Sequence, residues 1–503
     1  MKYPAGLSLC MIVKDEERFL ADALRSVAGV ADEICIVDTG STDGTLAIAR
    51  EFGARIAQIA WSDDFSAARN AALALATRRW IFVLDADERL VPESRDALRA
   101  IGASPARGRG CWIACRNLSD DFKGSGAMTN AIVRLFPNDP QIRYRNAIHE
   151  YVTRDGLESG LPSDLAPIEI VHLGYLSEIV RERGKAQRNL RMAEAAVQSA
   201  PDDAFAHYNL GMSLLLDGRK DDAIAALEHS HELTRLAPRA FRVNALVALA
   251  DLYAQHRGDL GLAQTTIDAA LAIAPTYSNA HFTHGRILTL RGDRTAAREA
   301  FGNAIRAGKH DHEQFVVDDE IAIWKAANEI GATLMAEERY REALPWFERA
   351  GGNRPRAVAL LANRAKCHEA LGERDAAEAC YAEAARCGED EPSAIEWVNF
   401  CLRARPEAVA LAAIEAALPA LGYAYRCTFL AVAAAVRLRA GDESGAASFM
   451  KRALAAPPTP EEGAAIVTAL AGRLGEPGLL RFLGASGPAT GASGLRIAYV
   501  PTT

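Results

Sequence analysis

One unit recurs through the C-terminal part of this 503-residue chain, and it leaves few folds open. Gly211, Ala223, Leu227 and Ser230 stand at offsets 0, 12, 16 and 19. Gly285, Ala297, Phe301 and Ala304 repeat those offsets. So do Gly331, Ala343, Phe347 and Ala350, with Pro355 beyond them, and Ala365, Ala377, Tyr381 and Ala384. Ala263, Ile267, Ala270 and Pro275 preserve the second half of the unit, and Ala446, Met450, Ala453 and Pro458 preserve it again. Ala297 follows Ala263 by 34 residues, as Ala377 follows Ala343. Small residues mark places where two helices touch, with large residues beside them. One such helix pair cannot bury its own apolar face, so neighbouring pairs must stack into a superhelix. Longer spacings elsewhere predict inserted segments, and His310 to Asp319 is one candidate.

These offsets and the closing proline resemble the tetratricopeptide repeat. The resemblance implies a concave groove suited to an extended peptide, to another partner or to self-association into a homo-oligomer. His207 and His281 occupy matching repeat positions and read as structural. The domain boundaries expected are 1–190 for an α/β domain, 191–390 for the repeats, 391–483 for degenerate helical repeats and 484–503 for a loosely held tail.

The composition is that of a soluble protein, 50% hydrophobic and 24% charged. A formal net charge of −8 argues against a nucleic-acid backbone as the main partner. Nine scattered cysteines form no CxxC pair, and an odd number cannot all pair internally. Reduced thiols in a cytoplasmic protein are therefore expected. The first apolar stretch, Leu7 to Val13, is too short for a signal peptide's core-and-cleavage pattern and reads as a strand. No uninterrupted apolar run reaches the ~18 residues of a membrane helix, though peripheral attachment at the inner membrane face stays compatible.

Before residue 200 the pattern alternates. Strands are expected at Leu7–Val13, Glu33–Asp38, Arg55–Ile59 and Trp80–Leu84, with helices at Arg18–Val27, Thr45–Phe52 and Ser66–Ala76 between them. This alternation predicts a Rossmann-like α/β fold with a parallel sheet covered on both faces. In such sheets ligands bind beyond the carboxyl ends of the strands. There the chain places Asp38 and, after the apolar run Trp80 to Leu84, the cluster Asp85-Ala86-Asp87-Glu88. Two carboxylates one residue apart can share Mg²⁺ or Mn²⁺, which in turn bridges phosphate oxygens. A plain acidic turn would look the same, and Asp38 with Ser41 or Thr42 also suits an Asx turn and helix cap.

Four motifs in order resemble family 2 glycosyltransferases of the GT-A fold. They are Ser8 to Glu17, Val37 to Asp43, Asp64-Phe65-Ser66-Ala67-Ala68-Arg69-Asn70 and Leu84 to Glu88. A fainter likeness continues through Ile148-His149-Glu150 and His172-Leu173-Gly174-Tyr175. The common subgroup opening has Asn where this chain has Asp15. The resemblance implies a nucleotide-sugar donor, UDP-glucose or a related UDP-sugar, and inverting transfer with one general base. It implies Asp38, Asp15, Arg69, Asp85 and Lys185 at the nucleotide sugar, and Asp85, Asp87 and His172 at a metal. Glu150 is the first candidate base and His149 the second. Arg69 faces the diphosphate or pairs with Asp63 or Asp64. Lys185, Arg188 and Asn189 form a basic helix face, solvated or phosphate-binding. Trp61 and Trp80 read as core residues, with sugar stacking open to Trp61.

The relatives with appended repeats include enzymes that glycosylate a cysteine of a bacteriocin peptide and others that build surface glycans. The acceptor is therefore expected to be a peptide, protein or glycan. Two alternatives stay open: a repeat scaffold with a degenerate transferase domain, and a peripheral transferase acting on lipopolysaccharide or glycolipid.

Overall fold

Strand β1 (Leu7–Val13) shows how the N-terminal sheet is covered on both faces. Successive strand side chains point to opposite sides. Leu7, Leu9, Met11 and Val13 enter one core with Leu20 and Leu24 of α1 (Leu20–Ser26) and Leu98 of α4 (Arg95–Ala103). Cys10 and Ile12 enter the other, against Ala72 and Leu73 of α3 (Phe65–Leu75). The computed structural model describes residues 3–119, 127–155, 160–175, 185–234, 240–308, 316–353, 357–388 and 390–486.

Strands β3 (Arg55–Gln58), β2 (Glu33–Asp38), β1 and β4 (Trp80–Val83) lie side by side and parallel, with α2 (Thr45–Glu51) crossing between β2 and β3. Beyond β4 the expected all-parallel sheet gives way to a mixed one. β7 (Ala127–Pro137) runs antiparallel to both β4 and β6 (Gly110–Ser119). β10 (Ser163–Tyr175) is parallel to β6 and antiparallel to the short β5 (Glu88–Leu90). The reason is connection length. A parallel crossover needs a dozen or more residues, and the link from Ser119 to Ala127 is shorter than that. Strands β8 (Ile142–Arg145) and β9 (Tyr151–Arg154) form a separate hairpin, whose connecting turn carries His149 and Glu150.

The chain divides into two compact units, 1–326 and 327–503. In the first, the sheet domain continues into helices α5 (Lys185–Ser199), α6 (Ala204–Leu216), α7 (Lys220–Leu233), α8 (Ala240–Leu252), α9 (Leu260–Ile273), α10 (Ser278–Leu290) and α11 (Arg294–Ala307). A two-residue strand, β11 (Val317–Asp318), follows them and pairs with Met128 and Thr129 of β7. The second unit is helical from Ala326–Met335 through Pro460–Leu474. The alanines at the twelfth offset, Ala223, Ala263, Ala297, Ala343, Ala377 and Ala446, are all fully buried. Offsets 0 and 16 meet across each helix pair. A β-carbon added at Gly211, Gly285 or Gly331 would fall within 2.7 Å of Leu227, Phe301 or Phe347 respectively. His207 and His281 make the same bond, Nε2 to the carbonyls of Pro201 and Pro275.

All nine cysteines are free, with Cys111 and Cys387 half-buried and the others buried. No helix among the described residues is long and apolar enough to cross a membrane. Residues 487–503, most of the expected tail, lie outside the described residues.

Candidate active site

The loops leaving β1 and β2 are laced together. Asp38, the last residue of β2, is buried, and its carboxylate accepts from the Gly40 and Ser41 amides and from Gln58 Nε2. Burial alone would raise its pKa, but these bonds to the charged form hold it below the usual carboxylate range. Asp15 is exposed and left-handed, with φ 52°. Its carboxylate accepts from the Thr42 amide, and its own amide donates to Ser41 Oγ. Neither Ser41 nor Thr42 caps α2. Gly44 is the cap residue, and Asp43 accepts from the Thr45 amide instead.

At the carboxyl end of β4 a chain of ion pairs crosses the site. Arg69 Nε donates to Glu150 at 2.6 Å, while its Nη1 and Nη2 hold the two Asp85 oxygens at 2.9 and 3.1 Å. Arg134 then joins Asp85 at 2.8 Å to Glu88 at 3.0 Å. Burial opposes charging Asp85, yet Arg134 and Arg69 keep its carboxyl far below the ordinary range. Glu88 is more deeply buried, and desolvation pushes its pKa upward. Its carboxylate also accepts from the Asp85 amide, so it fastens the turn.

The segment Asp64 to Asn70 builds this arrangement. Asp64 caps α3 by accepting from the Ala67 amide, which takes it away from Arg69. Asp63 accepts from Trp61 Nε1. Arg69 therefore pairs with neither of the nearby acids proposed from sequence. Ser66 Oγ donates to the Asn146 carbonyl, and Asn70 clamps the backbone of Tyr144 through both its amide groups. Arg69 also lies 5.5 Å from the Tyr144 ring. One helix thus fixes the β8–β9 turn and presents Glu150 to the network. Trp61 packs edge-on against Phe65, at 4.8 Å between ring centres.

Asp87 follows a separate path. Its Oδ1 lies 3.5 Å from His172 Nε2. On the other side of the ring, His172 Nδ1 is 2.8 Å from Asn117 Oδ1. Asn117 uses its Nδ2 on the Met128 carbonyl and Asn130 Oδ1, so its oxygen is the acceptor and His172 Nδ1 carries the proton. That leaves Nε2 to face Asp87. Burial lowers the His172 pKa, but the Asp87 hydrogen bond and the charges of Asp87, Glu88 and Asp85 outweigh it and raise the value. A carboxylate oxygen and an oriented imidazole nitrogen fit a divalent cation of the Mn²⁺ type. Cys115 lies within ligand reach of His172 and Glu88. Burial holds its thiol well above its ordinary value.

The structure thus brings together Arg69, Asp85 and Glu150, and separately Asp87 and His172. It does not leave Asp85 and Asp87 equally placed for one cation, because both Asp85 oxygens are held by guanidinium groups. His149 is exposed at φ 53°, its ring 6.4 Å from Phe205. Lys185 opens α5, but its side chain lies outside the described residues. Sequence reading missed Arg134, Asn117 and Cys115. Arg134 carries a signal, a single cation inside the apolar run from Ile132 to Phe136. The other two carry none, since only strand pairing brings β6 and β7 to this site.

Residues 8–142 match the sequence model of Glycosyl transferase family 2. A tetratricopeptide repeat-containing protein of Synechococcus elongatus is 37% identical over 273 residues, 53% of this chain and 66% of that protein. The SPbeta prophage-derived glycosyltransferase SunS of Bacillus subtilis is 25% identical over 257 residues, 50% of this chain and 60% of SunS. The chain therefore spans less than two thirds of the length of either relative. A solved tetratricopeptide repeat protein from Parabacteroides merdae aligns with 52% of this chain and 97% of its own, at 14% identity and a TM-score of 0.35. The chain is a family 2 glycosyltransferase domain continued by a tetratricopeptide-repeat region.

Proposed function

We propose that this chain is a metal-dependent inverting glycosyltransferase that moves a sugar from a UDP-sugar to a peptide, protein or glycan acceptor. The transferase domain would occupy 1–190, with the repeats of 191–390 and the degenerate repeats of 391–483 serving acceptor or partner, in the cytoplasm or at the inner face of a membrane. The observation that carries the reading is the buried ion-pair chain from Glu150 through Arg69, Asp85 and Arg134 to Glu88, at the strand end where a donor binds.

Asp38 and Asp15 would face the nucleoside, with Arg69 and Lys185 toward the diphosphate side. Asp87 and His172 would hold Mg²⁺ or Mn²⁺, and a cation there neutralises charge growing on the diphosphate leaving group. Glu150 would take the acceptor's proton as the acceptor atom bonds to the anomeric carbon and the sugar–phosphate bond breaks, releasing UDP. Arg69 fixes the orientation of the Glu150 carboxylate. His149, outside the network, is the second candidate for the base.

UDP release from UDP-glucose with Mn²⁺ tests this directly. Release should stop with chelator, and Asp87→Ala should lower it by about 100-fold, the scale of losing one charge-stabilising group in a preorganised site. A panel of nucleotide sugars showing no metal-dependent binding or hydrolysis would sink the reading in favour of a scaffold.

A further inference from the structure

Strand β11 belongs to the helices by its side chain and to the sheet by its backbone. Val317 is 1% exposed and sits in one apolar core with Val243, Tyr277 and Ala280. Asn279 of α10 grips the same segment with both ends of its carboxamide. Its Nδ2 donates to the Val316 carbonyl at 3.2 Å, and its Oδ1 accepts from the Asp318 amide at 3.0 Å. The Tyr277 hydroxyl donates to the Val316 carbonyl at 2.6 Å. On the sheet side, Val317 and Asp318 pair with Thr129 and Met128 of β7, and Thr129 Oγ1 donates to Asp319.

The stretch of β7 held in this way also anchors Asn117. Asn117 Nδ2 donates to the Met128 carbonyl and to Asn130 Oδ1, each at 2.9 Å. Met128 and Asn130 are the two neighbours of Thr129. With its amide group tied to β7, Asn117 offers Oδ1 to His172 Nδ1 at 2.8 Å. A histidine that binds a metal through one ring nitrogen has its tautomer and direction fixed by the acceptor at the other. β4 pairs with β7 only from Leu135 to Pro137, so β11 is what covers that edge of β7 at Met128 and Thr129. Strand ends held by few contacts open locally at little cost. The route from a repeat helix to the candidate metal ligand is therefore continuous. It runs from Asn279 and Val317 to Met128 and Thr129, then to Asn117 and His172.

We propose that β11 is a positioning element of the metal site, through which the repeat helices set how firmly Asn117 orients His172 toward a divalent cation. Asn117, Thr129 and Asn279 act through His172 and are positioning residues. The proposal rests on the reading of Asp87 and His172 as metal ligands. It adds that metal affinity is a joint property of the sheet and the repeats. A shift of α10 against β7 changes that affinity, which links the repeats to the transfer site without a ligand shared between them.

Mn²⁺ titrations of the full chain in the presence of UDP test this, read by the electron paramagnetic resonance of the free ion against a protein-free blank. Asn117→Ala should weaken Mn²⁺ binding by about 10–100-fold, the usual effect of losing the partner that orients a ligating histidine. Thr129→Val and Asn279→Leu release the strap from the sheet side and the helix side, and each should weaken binding by about fivefold or more. Thr129→Ser keeps the hydroxyl and should bind Mn²⁺ as the parent does. In the Asn117→Ala background, neither strap substitution should weaken binding further, because the route is already cut. Two strap variants guard against a folding failure in either one. Parental Mn²⁺ affinity in both strap variants overturns the proposal, as do losses that add in full to that of Asn117→Ala. A parent chain that binds no Mn²⁺, or an Asp87→Ala chain that binds it equally well, would strike the metal reading itself. The strap is then judged in the metal-free chain by amide exchange at residues 115–118 of β6. Both strap variants should speed that exchange and leave β1 and β2 unchanged, and parental rates at 115–118 overturn the proposal.

Discussion

Arg69 concentrates the physics of this site in one residue. It is buried, and it neutralises two carboxylates that are themselves largely shielded from water. Removing one partner of a buried network leaves the others charged and unpaired. Arg69→Ala should therefore lower the unfolding free energy by about 3–5 kcal/mol in urea titrations. Arg69→Lys should recover only part of this, because an ammonium cannot hold Asp85 with two parallel bonds while also reaching Glu150. Equal stability of Arg69→Ala and the parent would show that the network adds nothing. The arginine itself was visible in the sequence, but its partners were not. Asp63 and Asp64 are the acids nearest in sequence. Local turn chemistry occupies both, so Arg69 is left to acids 16 and 81 residues away.

At the scale of elements, the repeat offsets proved to be contact positions. Gly285 sits opposite Phe301 because two helices cross there, and a β-carbon on Gly285 would lie 2.5 Å from the ring. Replacing a helical Gly by Ala ordinarily gains up to about 1 kcal/mol. Overpacking a filled core costs about 1–3 kcal/mol or more. A 2.5 Å approach to an aromatic ring decides the sign, so Gly285→Ala should destabilise the first unit. Gly302→Ala provides the contrast within the partner helix. Its nearest neighbour is the flexible end of Arg306 at 3.4 Å, and this variant should gain stability. Thermal melts of the two variants moving in the same direction would refute the reading of offset 0 as a helix crossing. The strands were legible for a similar reason, since alternation and apolar runs are local. The switch from parallel to mixed sheet was not legible, because it depends on which distant strands pair.

For the first compact unit as a whole, β11 matters most. β6 covers one side of β7, and β4 covers only Leu135 to Pro137 on the other. β11 pairs with the part of that second side which β4 leaves open, at Met128 and Thr129. Thr129 Oγ1 donates to Asp319 at 2.5 Å, both residues being buried. From the helical side, the Tyr277 hydroxyl and Asn279 Nδ2 donate to the Val316 carbonyl. Residues 316–319, the end of the segment predicted as a repeat insertion, therefore strap the helices to the transferase sheet. Thr129→Val should lower stability by about 1–3 kcal/mol through the buried Asp319 acceptor. It should also speed amide exchange at Val317 and Asp318, and unchanged exchange would show that the strap carries no load. The sequence by itself determined the α/β start, the helical repeats, their contact positions and the acidic end of β4, because each is written in spacing along the chain. Only the tertiary structure decided that Asp85 lies between two arginines while Asp87 faces His172, and that β11 joins the sheet. Those facts depend on which remote segments meet, and on which polar groups then find partners once water is excluded.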